Sequence, residues 1–463
     1  MKRKIGGLII AIMLVPVFCS AQMTLESVVK QAISSNPKVL ESWDSFQESI
    51  QERKAAKGGY LPTVDLKARA GHQVNTYDDN DETFDPAYAT FSLRQLLFDG
   101  MGTPNEVSQL GHNTLAKYYE MLQTSEDIAF EAVEAYADVV RFRELLKLAN
   151  ENYQAHKRIY DQVNQRVESG VGRGVDLEQA KGRLALAQSN QITEANNLHD
   201  VTARFYRIVG ELPLKELAAL PATSSIAVPE ASKAALEMSI RSNPGFMASI
   251  EKVHAAEKVR DARKASYMPK IDFLATYDIG SDRDEIDGHS EESFVGVELS
   301  FNLYRGGSDV ATVRALSERV ERAIKLREIS CRNLRQTVAI SHTALKMIES
   351  QLASLLQHAE STAKARIAYL DQFEIGQRSL LDLLDSENEH FRASRAYSIA
   401  KQDYFIAHAE TLANMGDLLT TFDIRQESPS EVDELNEEND PVSPQQYCPV
   451  EDISQELYSV TAF

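Results

Sequence analysis

The sequence has little proline, glycine and cysteine, and it carries fewer basic than acidic side chains. Its 463 residues include 14 Pro, 21 Gly and three Cys. So little Gly and Pro disfavours a loop-rich all-β chain, and three cysteines are too few for a disulfide scaffold. With 49 Lys and Arg against 69 Asp and Glu, the formal net charge is −20. Nucleic-acid binding needs clustered basic residues, so we expect no nucleic-acid partner.

Motifs that carry catalytic or metal chemistry are also absent from the sequence. It contains no His-Glu-x-x-His, Cys-x-x-Cys or Gly-x-Ser-x-Gly. We therefore expect no enzyme activity, no cofactor and no metal site. Cys331 and Cys448 are the only cysteines after residue 21. They could form a disulfide in an oxidising compartment, but nothing in the sequence requires them to pair.

Residues 1–21 have the layout of a secretory signal peptide. A basic start at residues 2–4 precedes an uncharged apolar run at residues 5–18, which is too short for a membrane-spanning helix. Small residues follow, and Phe18 directly before Cys19 argues against a lipoprotein. We predict cleavage after Ala21. No later stretch approaches 18 consecutive apolar residues, so we expect any membrane-spanning segments to be strands.

The sequence contains an internal duplication. Residues 36–65 match residues 243–272 at a constant offset of 207, and both segments begin with Asn-Pro. Further on, Gly170 and Asp176 match Gly376 and Asp382 at an offset of 206. We therefore predict two structural repeats, residues 22–220 and 221–423, each reading helix, β-hairpin, long helix, helix. A tail of residues 424–463 follows. It is acidic, and we expect it to be flexible, either as a docking peptide or as a solvated strap.

Each repeat has two segments of about 10–12 residues with strand periodicity. In the first repeat, apolar residues alternate with polar ones at 64–70 and at 89–97, and an acidic loop is expected at residues 76–85. The second repeat shows the same pattern at 271–279 and 295–303, again around an acidic loop. A soluble pair of β-hairpins is the alternative interpretation. Four strands cannot close a barrel with a lumen, so membrane-spanning strands would require several chains in one barrel.

Two long segments, residues 104–169 and 307–375, are predicted to be uninterrupted helices. They contain no internal Pro and are rich in Ala, Glu, Gln, Leu, Lys and Arg. Each would be about 100 Å long, and helices of this length must pack side by side as coiled coils. A solid bundle and a hollow helical tube both fit this pattern. Gly170 and Gly376 follow the two helices and predict helix-to-helix hairpin turns.

At this point the chain resembles the TolC family of outer-membrane efflux and secretion channels. The resemblance rests on the signal peptide, the duplication, the paired Asn-Pro and Tyr-x-Pro motifs, and Gly-Gln-Arg-Ser-Leu-Leu-Asp-Leu-Leu-Asp at residues 376–385. It implies a mainly α homotrimer with a small β part. Three chains of four strands would form one 12-stranded β-barrel in the outer membrane, continued by a long α-helical coiled-coil barrel, or tunnel, in the periplasm.

The resemblance also implies a set of site residues at the hairpins. Asp382 and Asp385 match the acidic ring at the periplasmic aperture, although a first-turn helix cap is the alternative role for these aspartates. Asp176, Arg378 and Phe373 match the network that holds the tip closed, with Asp176 and Arg378 paired between neighbouring hairpins. The family has a tyrosine where Phe373 stands, so one hydrogen bond of that network is expected to be missing.

The function implied by the resemblance is that of a passive export duct in a tripartite efflux or type I secretion system. Its expected partners are a periplasmic adaptor (membrane fusion protein), an inner-membrane ABC or RND-type transporter, outer-membrane lipid, and the exported protein or small molecule. A small-molecule efflux channel of the same fold and a periplasmic coiled-coil scaffold without a pore are the alternatives. The transported substrate and the transporter stay open at this point.

Overall fold

A computed structural model describes most of the chain after the predicted signal peptide. The described residues are 22–78, 80–222, 227–283, 286–424, 428–438 and 443–450. The predicted cleavage site after Ala21 and the end of the tail lie outside them. The prediction of a mainly helical chain with a small β part is confirmed.

The first repeat runs from helix to sheet and back through two long helices. Its elements are α1 (Leu25–Ser35), α2 (Pro37–Lys57), β1 (Thr63–Ala70), β2 (Gln73–Tyr77), β3 (Asn80–Phe84), β4 (Ala87–Phe98), α3 (Gly102–Glu168) and α4 (Gly174–Val209). The second repeat has the same order with two longer strands. Its elements are α5 (Ser232–Ser242), α6 (Pro244–Lys264), β5 (Lys270–Arg283), β6 (Ile286–Ser300), α7 (Ser308–Glu374) and α8 (Leu380–Met415), followed by α9 (Leu418–Thr421) and α10 (Ser430–Glu438).

The duplicated Asn-Pro motif begins the second helix of each repeat. Asn36 and Asn243 are N-caps, whose side-chain oxygens accept backbone N–H groups two or three residues on, and the prolines occupy the first helical position. The Asn36 Nδ2 donates to the Ile208 carbonyl (3.0 Å) and the Asn243 Nδ2 to the Asn414 carbonyl (3.1 Å). Each motif therefore also ties its helix to the far end of the repeat.

The largest core lies where α1, α3, α4, α8 and α9 meet. Fully buried apolar side chains of these helices fill it, and Tyr136 is among the largest. The Tyr136 hydroxyl oxygen lies 2.7 Å from the Ala218 carbonyl oxygen and 3.0 Å from that of Met23. Its single hydrogen can donate to either loop carbonyl, and the Met23 carbonyl also accepts the Ala218 N–H. Among the described residues, no helix combines the length and hydropathy of a membrane span.

The main sheet is antiparallel, with strand order β1-β4-β5-β6. Directly opposed residues share a face, so the register sorts side chains into two faces. One face is mainly apolar on all four strands: Val64, Leu66, Ala68, Ala89, Phe91, Leu93, Ala275, Tyr277, Ile279, Val295, Val297 and Leu299. Gln95, Ser293 and Glu291 are polar residues on the same face. The other is mostly polar and includes Asp65, Lys67, Arg69, Thr90, Ser92, Asp272, Thr276, Asp278 and Glu298. The apolar face is largely exposed in the single chain.

Two details of the predicted strands are wrong. The acidic segment 76–85 was expected to be a loop, but β2 and β3 pair there as a hairpin, and β5 and β6 likewise extend far into the second acidic segment. Asp and Asn are poor strand formers, yet backbone pairing with the adjacent strand outweighs that preference. The last predicted strand was expected to reach Leu303, but β6 ends at Ser300.

The tail also differs from the expected flexible segment wherever the structure describes it. Residues 430–438 form α10, which buries Val432 and Leu435. Cys448 is fully buried and forms a disulfide with Cys331 of α7, which answers the question that the sequence left open.

Glu126 of α3 is a buried carboxyl group that joins α3 to α9. Its side chain accepts the backbone N–H groups of Leu418 (3.2 Å) and Leu419 (3.3 Å) at the start of α9. Burial raises the pKa of Glu126 to about 8, although the two backbone hydrogen bonds act in the opposite direction.

Glu126 is expected to make stability depend on pH. Between its unfolded pKa of 4.5 and its folded pKa of about 8, the folded chain keeps a proton that the unfolded chain has lost. The free energy of unfolding should therefore fall as pH rises through this window, and Glu126→Gln should flatten that slope. Urea midpoints across the window measure the effect, with exposed Glu360→Gln as control. An unchanged slope in Glu126→Gln would show that Glu126 is ionised throughout.

Candidate functional site

The candidate site is the pair of helix hairpins at the end of the molecule farthest from the sheet. Helices α3 and α7 each contain 67 residues, which corresponds to about 100 Å of helix between the sheet and the hairpins. Gly170 and Gly376 follow these helices with φ values of 81° and 76°. This left-handed conformation suits glycine and lets the chain reverse direction within a few residues at each turn.

An apolar cluster packs the two hairpins together. It consists of Ile159, Val163, Ala180, Phe373, Leu380, Leu383 and Leu384, contributed by α3, α4, α7 and α8. Phe373 is 7% exposed, and the Arg166 guanidinium lies 5.1 Å from its ring centre. Phe373 is thus a core residue of the tip, with a cation–π contact to Arg166.

Asp382 closes a capping box at the start of α8. Its carboxylate accepts from the Ser379 backbone N–H (3.3 Å) and hydroxyl (2.9 Å), while the Ser379 hydroxyl oxygen accepts the Asp382 N–H. The cap role that the sequence left as an alternative is therefore present in the structure. The Arg378 guanidinium lies 4.0 Å from the same carboxylate.

Asp385 forms an ion pair that joins the two repeats. The Arg183 Nη2 of α4 lies 2.5 Å from its carboxylate, on the other hairpin. A second pair joins the same two helices, because Arg395 of α8 lies 2.9 Å from the buried carboxylate of Glu194 on α4. Sequence reasoning missed Arg183 and Arg395, since their partners lie about 200 residues away and no local pattern indicates them.

Within one chain, Asp176 and Arg378 bind different partners. Asp176 pairs with Arg173 at 3.2 Å, a spacing of three residues that the sequence could have suggested. Arg378 donates to the Gln372 side-chain oxygen (2.9 Å) and lies 4.5 Å from the ring centre of Tyr369. The predicted pairing of Asp176 with Arg378 between neighbouring hairpins is therefore not formed within one chain, and it stays a prediction.

The tip also exposes apolar side chains in the described part of the chain. Val171 (80% exposed) and Ile375 (68%) lie in the two turns, and Val175 and Leu381 lie just beyond them. Arginines flank both turns at positions 173 and 378. The described part of the chain contains no cluster of His, Cys, Asp or Glu that could hold a metal ion.

The turn at Gly376 provides a test of the hairpin geometry. Gly376→Ala should destabilise the tip by about 1–2 kcal/mol, because a Cβ disfavours the left-handed conformation although nothing blocks it sterically. Gly174→Ala is the matched control, since Gly174 begins α4 without a positive φ and also has open space. Hydrogen exchange of the tip peptides measures the effect. If the tip peptides exchange at the same rate in both variants, a Cβ at position 376 does not destabilise the turn.

Comparison with known proteins agrees with this geometry. The family model described as "Outer membrane efflux protein" matches residues 28–211 and 235–416, which divides the chain as the duplication does. The outer membrane protein TolC of Vibrio cholerae is 22% identical over 439 residues, covering 88% of this chain and 95% of TolC. The alkaline protease secretion protein AprF of Pseudomonas aeruginosa is 24% identical, covering 80% of this chain and 81% of AprF.

A solved structure has the same fold. The CmeC outer membrane channel of Campylobacter jejuni superposes with a TM-score of 0.78 at 15% identity, covering 89% of each chain. The resemblance to the TolC family is thereby confirmed. The chain belongs to the outer membrane efflux protein family.

Proposed function

We propose that this chain is one third of a passive export duct, which an inner-membrane transporter and a periplasmic adaptor open. Like its family, the chain is an outer-membrane efflux protein with its helical part in the periplasm. The observation that carries the proposal is the sheet register, which gives four strands one apolar and one polar face. Such a sheet suits a barrel wall with lipid outside and water inside.

The sheet edges support a trimer. Within the described chain, β1 and β6 each pair with a single neighbour in the main sheet. An unpaired edge is costly in lipid, so β1 of one copy has to meet β6 of the next. Three copies give 12 strands, and a closed barrel of that size leaves a lumen.

The helices repeat this arrangement of two complementary edges. Helix α2 packs on α3, α3 on α6 and α6 on α7, which leaves α2 and α7 at opposite ends of the series. Helix α7 buries Val320, Leu334 and Val338 on one side. On the other side it exposes mainly apolar and basic residues: Arg319, Arg322, Leu326, Ile329, Arg332, Ile340 and Met347. Glu318 and Glu321 are exposed acidic residues of the same helix.

Helix α2 offers a complementary surface. It exposes apolar and acidic residues: Leu40, Glu41, Trp43, Asp44, Glu48 and Glu52. The apolar parts of α2 and α7 can bury each other, and the charges that predominate on the two exposed surfaces have opposite sign. A head-to-tail contact of α7 with α2 of the next copy forms a closed ring when the rotation closes, in agreement with the strand edges.

We further propose that the hairpin tips form the gate. Asp382 and Asp385 of three copies would line the aperture, but Arg183 offsets the charge of each Asp385. The aperture should therefore attract cations less strongly than six unpaired carboxylates would. Closure would rest on Asp176 and Arg378 of neighbouring copies, and the exposed apolar turns would receive the adaptor.

We infer the class of transported substrate from the similarity to AprF and from the paired aspartates. The chain resembles AprF, a protein whose name states a role in protease secretion. Together with the paired aspartates, this favours protein export by a type I secretion system. Small-molecule efflux by the same duct is the second candidate, and the family model is named for efflux.

The gate proposal predicts that Arg378→Ala makes the resting channel leakier. A charge-assisted hydrogen bond contributes about 1.5–3 kcal/mol, so its loss should raise the open probability by about tenfold or more. Asp176→Ala should have the same effect. Single-channel recording in a planar bilayer measures this, with Glu360→Gln on α7 as control. If both tip variants stay as closed as the wild type, these residues do not hold the gate.

The aperture proposal predicts opposite effects for the two partners of the Arg183–Asp385 pair. Arg183→Gln leaves Asp385 unpaired and should raise the preference for cations, whereas Asp385→Asn should lower it. Reversal potentials in a salt gradient report this preference. Identical reversal potentials for both variants and the wild type would place Asp385 away from the permeation path.

A further inference from the structure

We propose that the C-terminal tail is a belt, fastened by the Cys331–Cys448 disulfide, that ties helices of the two repeats together. The belt consists of the described residues 428–438 and 443–450. Its first part packs on α2 and α3 of the first repeat, and its second part packs on α5, α6 and α7 of the second repeat. This role is independent of the export function proposed above.

The first anchor is the apolar side of α10. Val432 and Leu435 are each 1% exposed, and they pack in one cluster with Phe46, Ile50, Leu115, Tyr118 and Met121. Gly111 of α3 makes this approach possible, because a Cβ there would lie 2.9 Å from the Leu435 Cδ2. The groove between α2 and α3 is thus shaped for α10.

Charge pairs reinforce the first anchor. Arg53 of α2, with a side chain only 8% exposed, pairs with Glu434 and Glu438 of α10. Lys57 lies 3.0 Å from the Glu434 carboxylate. A buried guanidinium without its carboxylates is strongly unfavourable, so the acidic belt completes the packing of α2.

The second anchor is covalent. Cys448 is fully buried and bonded to Cys331 of α7. On either side of Cys448, the Tyr447 ring lies 4.0 Å from the Arg327 guanidinium, and the Pro449 carbonyl accepts a hydrogen bond from Arg335. Three successive residues of the belt therefore contact one face of α7.

Only a short segment of the chain connects the two anchors. Five residue steps separate Glu438 from residue 443, which can span about 18 Å at most. The disulfide thus limits how far α7 can move from the α2–α3 groove while α10 stays in place. Forming it oxidises two thiols and transfers two electrons and two protons to a disulfide donor, and the periplasm is an oxidising compartment where such bonds persist.

Hydrogen exchange of the full-length protein in detergent tests the belt. Reduction of the folded wild type by dithiothreitol, or the double change Cys331→Ser and Cys448→Ser, should speed exchange in α10 and near residue 331 of α7 by about tenfold. Exchange at the hairpin tips should not change. If exchange of α10 and α7 is the same with and without the disulfide, the belt does not restrain these helices.

A pair of glycine variants tests the first anchor without touching the cysteines. Gly111→Leu should displace α10 and speed reduction of the buried disulfide by about tenfold, because the belt then opens more often. Gly182→Leu is the matched control, since Gly182 lies inside α4 with open space around it. Equal reduction rates for Gly111→Leu, Gly182→Leu and the wild type would overturn the coupling between the anchors. This result would leave the export proposal unaffected, because bilayer recordings test that separately.

Discussion

A strand in a lipid bilayer has no water with which to pair its backbone, and this constraint explains most of the molecule. The four-stranded sheet has one apolar face and two end strands, so by itself it is incomplete in a membrane. Closing it requires other copies of the chain. The outer helices of the series are connected to the two edge strands, because α2 leads into β1 and β6 leads into α7. The helical part of each chain therefore also ends in two complementary edges.

Many of the acidic residues form ion pairs at specific places in the structure. The tail contributes acidic residues that neutralise Arg53 and Lys57 of α2, and Arg183 and Arg395 form ion pairs between α4 and α8. The excess of acidic over basic residues is therefore not spread evenly over a solvated surface. Part of it joins segments that are far apart in sequence, and part lies near the proposed aperture.

The architecture could be predicted from the sequence wherever the signal was periodic or repeated. Alternation at residues 64–70 and the scarcity of Gly and Pro in the long helices indicated elements that the structure contains. Local composition gave a wrong prediction where strand pairing decides the structure, as in the acidic segment that forms β2 and β3. The partners Arg183 and Asp385 could not be predicted, because they lie about 200 residues apart and leave no local signal. The sequence allowed Cys331 and Cys448 to pair but did not require it. In the tail, high charge concealed the two apolar residues, Val432 and Leu435, that hold α10 in place.

The central claim is that one chain supplies one third of a closed wall. Native mass spectrometry of the detergent-solubilised mature protein tests it most directly. The account predicts a single species with the mass of three chains that persists when the protein is diluted. A monomer as the only species in a folded protein extracted from the membrane would contradict it. The backbone groups of β1 and β6 would then have to be paired within one chain.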